Sequence, residues 1–170
     1  MTVSTDILRT WRAPRQVMRR LLEMGQREDR ALAFLMAACL LIFIGQWPRL
    51  VRLSEGIGVS AGAEVPELSR LISYEFVSWI VVWPLMFYII AGISHLVAKV
   101  LGGKGTWFGA RLALFWALLA SSPAMLLYGL LMGFNGAAIG TQLVGMVWLG
   151  ALVLFWILGL IEAEKGRSDA

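Results

Sequence analysis

Few residues in this chain have side chains able to do chemistry, and their spacing limits what that chemistry could be. His95 is the sole histidine and Cys39 the sole cysteine. From His95 to Leu114 the sequence reads HLVAKVLGGKGTWFGARLAL, which has the look of a glycine-rich phosphate loop. A Walker-type loop needs GxxxxGK[ST] between a strand and a helix, so that backbone N–H groups cradle phosphates while a hydroxyl reaches the metal. Here Lys104 is followed by Gly105, which displaces the hydroxyl, and apolar runs flank the stretch on both sides. A dinucleotide-binding GxGxxG also fails, because it needs a βαβ unit. The stretch reads as a turn, with Gly102 or Gly103 ending a helix in a left-handed cap. No nucleotide is expected.

The remaining candidates do not assemble into a catalytic set. Ser121 and Ser122 lie beside apolar residues and Pro123, where hydroxyls usually bond backbone carbonyls. His95 and Glu75 sit near opposite ends of one apolar segment. At ~1.5 Å per residue they are about 30 Å apart on a continuous helix, too far for an acid–base pair. His95 is expected to bond a neighbouring helix or a headgroup. A single histidine and a single cysteine in an apolar run build neither a zinc site nor a disulfide. No catalytic residue, metal or cofactor is expected, and the chain does not read as an enzyme.

The elements that position these residues follow from composition. The 170 residues are 59% hydrophobic and only 15% charged, with a mean hydropathy of +0.74. A soluble domain is usually about 45–50% apolar and about 25% charged. Four apolar segments match the ~20 residues a helix needs to cross a bilayer: 31–48, 76–100, 112–134 and 143–161. Lipid leaves no partner for unpaired backbone groups, so the spans must be helices. The expected fold is all-α: an integral membrane four-transmembrane-helix bundle with an N-terminal amphipathic interfacial helix. Residues 1–30 form a cytoplasmic arginine-rich segment, 31–161 the membrane domain and 162–170 a cytoplasmic tail. The charged first thirty residues do not read as a cleavable signal peptide.

Basic residues set the orientation. Residues 1–30, the 101–111 turn with Lys99, and the tail together hold twelve Lys and Arg, against Arg49, Arg52 and Arg70 in the first loop. Both termini are therefore expected in the cytoplasm of a cell whose inner membrane holds the protein. In DILRTWRAPRQVMRRLLEM, Ile7, Leu8, Trp11, Met18, Leu21 and Leu22 share one helical face, with Arg9, Arg12, Arg19 and Arg20 largely opposite. Such a segment suits a layer of anionic headgroups or a protein partner. Pro14 should divide it or open a new helix. Lys99, Lys104 and Trp107 belong to the same membrane surface. Pro84 and Pro123 should kink the second and third spans.

Close packing is expected where small residues recur four apart. Gly129 and Gly133 form such a pair late in span three, and Gly136 and Gly140 repeat it across the next turn. Packing between spans three and four is the plain reading, and contact with a partner the sharper one. Trp148 and Trp156, eight apart on span four, face lipid or a partner.

HLVAKVLGGKGTWFGARLALFWALLASSPAMLL resembles the core of the Yip domain family of Ypt/Rab-interacting multispan membrane proteins. The carriers are Lys99, the turn Gly102, Gly103, Lys104 and Gly105, and Pro123; WRAPRQVMRRLLEM resembles the family's opening segment. The likeness runs from about Trp11 to Ile161, and its short, arginine-biased form is similar to bacterial members. The resemblance implies a multi-pass, non-catalytic membrane adaptor or organiser, working through protein–protein interaction or self-association. An accessory subunit of a larger membrane complex is the next reading, and a small transporter or channel subunit the third. No nucleic-acid partner is expected.

Overall fold

The computed structural model describes residues 2–59 and 64–165, and the described residues are helical apart from short connections. Two short helices, α1 (Val3–Thr10) and α2 (Pro14–Glu23), precede the first long one, α3 (Glu28–Ser54). Helix α4 (Leu68–Val77) continues through a π-helical turn, Ser78–Val82, into α5 (Trp83–Val100). Helices α6 (Trp107–Asn135) and α7 (Ile139–Glu164) complete the chain. Among the described residues, four helices, Glu28–Ser54, Leu68–Val100, Trp107–Asn135 and Ile139–Glu164, are long and apolar enough to cross a membrane. Each outruns the apolar segment read from sequence. Helical hydrogen bonding carries past the uninterrupted apolar run, so α3 passes through Pro48 to Ser54 and buries Leu50 on the way.

Helix α6 is the axis of the bundle. From Phe108 to Ser122 its side chains are buried apart from Arg111. Gly109, Ala110, Ala113, Ala117, Ala120, Ser121 and Ser122 keep its girth small enough for neighbours on several sides. Helices α3 and α7 make its most extensive contacts, and α5 and α1 also touch it. Helices α3 and α6 run parallel: Arg111 pairs with Glu28 at one end, and Arg52 donates to the Gly133 and Phe134 carbonyls at the other. Lipid is as apolar as leucine, so close packing and interhelical hydrogen bonds hold such a bundle.

Pro123 and Pro84 are each accommodated locally. Pro123 has no N–H for the Leu119 carbonyl, and the Ser122 hydroxyl donates to that carbonyl instead, at 2.8 Å. The Ser121 hydroxyl donates likewise to Leu118, at 3.1 Å. Before Pro84 the helix loosens into the π turn, with the Trp83 N–H reaching back to Ser78. A π turn makes room where the proline ring would crowd the preceding turn. Along this helix Glu75, Trp79, Trp83 and Phe87 recur every fourth residue. Glu75 accepts from the Trp79 indole, Trp79 stacks on Trp83, and Trp83 stacks on Phe87.

Candidate functional site

The basic end of the bundle gathers most of the residues singled out in the sequence, and it is built around the glycine turn. Helix α5 closes with two backbone bonds, Gly102 N–H to Lys99 and Gly103 N–H to Ala98. Gly102 takes φ +91°. These are the two bonds of a Schellman cap, and the left-handed position favours glycine. Thr106 then caps α6, its hydroxyl accepting from the Gly109 N–H at 3.1 Å. Lys104, Trp107 and Lys99 stand exposed around the turn.

The turn holds a carboxylate, that of Glu164 at the end of α7. The Gly105 N–H donates to Glu164 Oε2 at 2.9 Å, and the Lys104 N–H to the Glu164 carbonyl at 2.9 Å. His95 Nδ1 lies 2.6 Å from Glu164 Oε1, and both side chains are buried. The His95 ring also rests against Trp107, with centroids 4.6 Å apart. Two glycines are required by this close approach. A Cβ on Gly103 would come within 2.5 Å of Glu164 Oε2, and one on Gly105 within 2.5 Å of the Ala163 carbonyl. The GGKG turn is thus a clasp joining α5, α6 and α7.

The N-terminal segment completes this end. Its two helices form a hairpin, with Pro14 in the first turn of α2. Val17, Met18 and Leu21 are buried, with α2 packed along α7 and Met18 close to Gly159. Each such side chain removed from a polar surrounding contributes about 1.5–3 kcal/mol. At the bend, the Trp11 indole N–H donates to the Ala120 carbonyl at 3.0 Å, and the Trp116 indole N–H donates to the buried Thr10 hydroxyl at 3.0 Å. Ala120 is nine residues beyond Arg111 on α6. At ~1.5 Å per residue the bend therefore reaches roughly 13 Å past the Arg111–Glu28 pair. Arg19 bonds Glu162 of α7 at 2.6 Å, and Lys165 shares that carboxylate. Ile7 and Leu22 pack partly on the core, whereas Leu8 is 70% exposed. The apolar face of α2 is therefore turned to the bundle.

The other expected positions are spread over the molecule. A Cβ on Gly129 would overlap the Gly45 carbonyl, and one on Gly133 would overlap Pro48. The close approach made by this pair is with span one, not span four, because α3 runs parallel beside that face of α6. Span four meets span three through Gly145, which lies against the Tyr128 ring. Gly136 ends α6 at φ +61°, beside the Arg52 guanidinium, and Gly140 faces open space. Trp148 stacks on Tyr128 with centroids 6.4 Å apart, and Trp156 packs partly on the core. Their indole nitrogens are enclosed without a hydrogen-bond partner. Cys39 is buried among core residues. At the far end Glu75 bonds Arg49 at 2.9 Å.

Two acids at this end were not singled out in the sequence: Glu164 of the clasp, and Glu162, which pairs with Arg19 and Lys165. The signal lay in IEAEK, two acids directly following the last apolar run, at the end where the sole histidine also falls. Asp6 and Thr10 were missed too, since a short polar residue in a surface helix rarely marks a buried contact. Among the described residues, no group of three or more His, Cys, Asp or Glu could hold a metal ion.

Neither the comparison with curated proteins nor that with solved structures gives a match. The sequence model of the Yip1 domain, by contrast, matches residues 8–167, from the N-terminal hairpin through the clasp and beyond. Nearly the whole chain is covered, and the protein belongs to the Yip1 domain family.

Proposed function

We propose that this Yip1-family protein is a non-catalytic adaptor or organiser of the cytoplasmic membrane, with its clasped basic end facing the cytoplasm. One observation carries the reading. The histidine and the acids within α4–α7 each tie two helices together: His95 to Glu164, Glu162 to Arg19, and Glu75 to Arg49. Each of these groups thus has a structural partner across helices, which supports a structural role for residues that at such depth can also mark substrate or ion pathways. The positive-inside rule supports the orientation, since Lys99, Lys104, Arg111 and the arginines of α1 and α2 share one end.

A mild-detergent pull-down from native membranes, with a tag after Ala170 and quantitative mass spectrometry, tests this reading. Self-association with scattered, weak partners is the expected outcome. Recovery of one large complex in fixed ratio would replace the organiser by an accessory subunit. A substituted-cysteine labelling experiment at Arg70 and Lys104 checks the orientation. Labelling of Lys104→Cys, but not Arg70→Cys, by an impermeant reagent from outside the cell would overturn it.

A further inference from the structure

Helices α5 and α7 run parallel, both ending at the glycine turn, and both pack on α6. The His95–Glu164 pair ties them to each other. Away from this clasp a groove of about 680 Å³ opens between them. Its walls are apolar, with Ile90, Val97 and Leu101 on α5 and Trp156, Ile157 and Leu160 on α7. The Ser94 hydroxyl on the α5 wall donates to the Ile90 and Ala91 carbonyls of its own helix. Polar groups gather at the clasp end, where Gly102, Gly103, Glu164 and Lys165 complete the lining. From Ile90 to Gly102, and from Trp156 to Lys165, the groove runs roughly 14–18 Å at ~1.5 Å per residue. That is the depth of one leaflet, about half of the ~30 Å hydrocarbon core. Spread over that length, 680 Å³ is a channel of roughly 40–50 Å² in section. A helix with its side chains is about 10–12 Å across, or about 80–110 Å², and does not fit. A hydrocarbon chain, one carbon wide, does.

We infer that this groove is a binding site for one acyl chain of a phospholipid, whose headgroup phosphate lies against Lys165 and Lys104. Polarity confined to one end of a leaflet-deep groove matches an amphiphile, apolar along its length and charged at its tip. The acids at that end are already engaged: Glu164 with His95 and the Gly105 N–H, and Glu162 with Arg19 and Lys165. The Lys165 ammonium has three donors, so its bond to Glu162 does not exhaust it. Lys104 stands exposed on the turn beside Gly103. Long lysine side chains near a helix end carry their charge into the headgroup layer. The inference rests on the reading that the basic end lies in a headgroup layer, whichever side of the membrane that layer faces. It differs from the lipid contact of any apolar surface in placing one chain in one channel.

The test uses the full chain, purified and reconstituted in phosphatidylcholine vesicles with a trace of phosphatidylglycerol that carries a diazirine midway along one acyl chain. After illumination, proteolysis and mass spectrometry map the adducts. They are expected several-fold more often on Ile93 and Val97, which line the groove, than on Ile89 and Leu96, which are similarly exposed outside it. Ala98→Trp fills the groove and should lower this preference several-fold, whereas Val100→Trp, outside it, should not. An unchanged helical signal shows that each variant is folded, and the wild-type map stands without them. Diacylglycerol carrying the same diazirine chain lacks the phosphate and should label the groove several-fold less. Equal labelling by diacylglycerol would overturn the role given to the lysines. Even labelling of the four α5 residues would reduce the groove to ordinary lipid contact and overturn the inference. Weaker labelling of Ile93 and Val97 than of Ile89 and Leu96 would show a second copy of the chain covering the groove, and would overturn it too. Because the protein is isolated, the result is independent of the pull-down from membranes.

Discussion

Gly129 is the position where the packing of α6 on α3 can be tested with one methyl group. A Cβ there would overlap the Gly45 carbonyl, and the obstructing atoms are backbone, which cannot swing aside as a side chain would. Gly129→Ala must push the two helices apart or strain them, and overpacking of this kind costs about 1–3 kcal/mol. Part is returned because alanine favours a helix over glycine by about 0.8–1 kcal/mol. The net expectation is a loss of roughly 0–2 kcal/mol, which alone would be a weak test. The decisive comparison is Gly150→Ala in α7, where nothing lies within 4 Å of the added carbon. Only the propensity gain of up to about 1 kcal/mol applies there, so the variants should differ by about 1–3 kcal/mol. Detergent unfolding of the purified protein, followed by loss of helical signal, measures both. Equal stability of Gly129→Ala and Gly150→Ala would refute the packing. If α6 used this pair for a partner, Gly129→Ala would leave the isolated chain unweakened and lower its self-association.

Further substitutions address the hairpin and the turn. Trp11→Phe keeps a ring against Phe155, now 5.2 Å away, and removes the bond to Ala120. It should lower stability by about 0.5–1.5 kcal/mol and hasten proteolysis within residues 1–24, whereas unchanged proteolysis would detach the hairpin from the bundle. Gly105→Ala drives a methyl against the Ala163 carbonyl and the Glu164 carboxylate. About 1–3 kcal/mol should be lost, and a variant as stable as wild type in the same unfolding assay would contradict the clasp.

The sequence made the bundle legible because lipid imposes a simple demand: apolar runs of spanning length, with basic residues gathered at their ends. The cap at Gly102 and the bond from Ser122 to the carbonyl freed by Pro123 were readable for a similar reason, since both are local consequences of residue type. Long-range pairings were not. His95 and Glu164 are 69 residues apart, and nothing in local pattern names that partner. The same holds for Gly129, whose spacing announces a close approach but not which helix supplies it. Arginine-rich amphipathic sequence suggests a surface, and the bond from the exposed Trp11 indole N–H to the Ala120 carbonyl of α6 is another pairing that local pattern does not name.

The most direct measurement for the clasp is a double-mutant cycle on His95 and Glu164. Stability would be measured for His95→Ala, Glu164→Ala and the double variant in one detergent. Removal of either side chain breaks the 2.6 Å bond, so the second removal should cost less than the first. A coupling of about 0.6–1.7 kcal/mol is expected for an interhelical bond at membrane depth. Losses that add to within about 0.3–0.5 kcal/mol would show the two residues to be independent, contradicting a turn built to hold the end of α7.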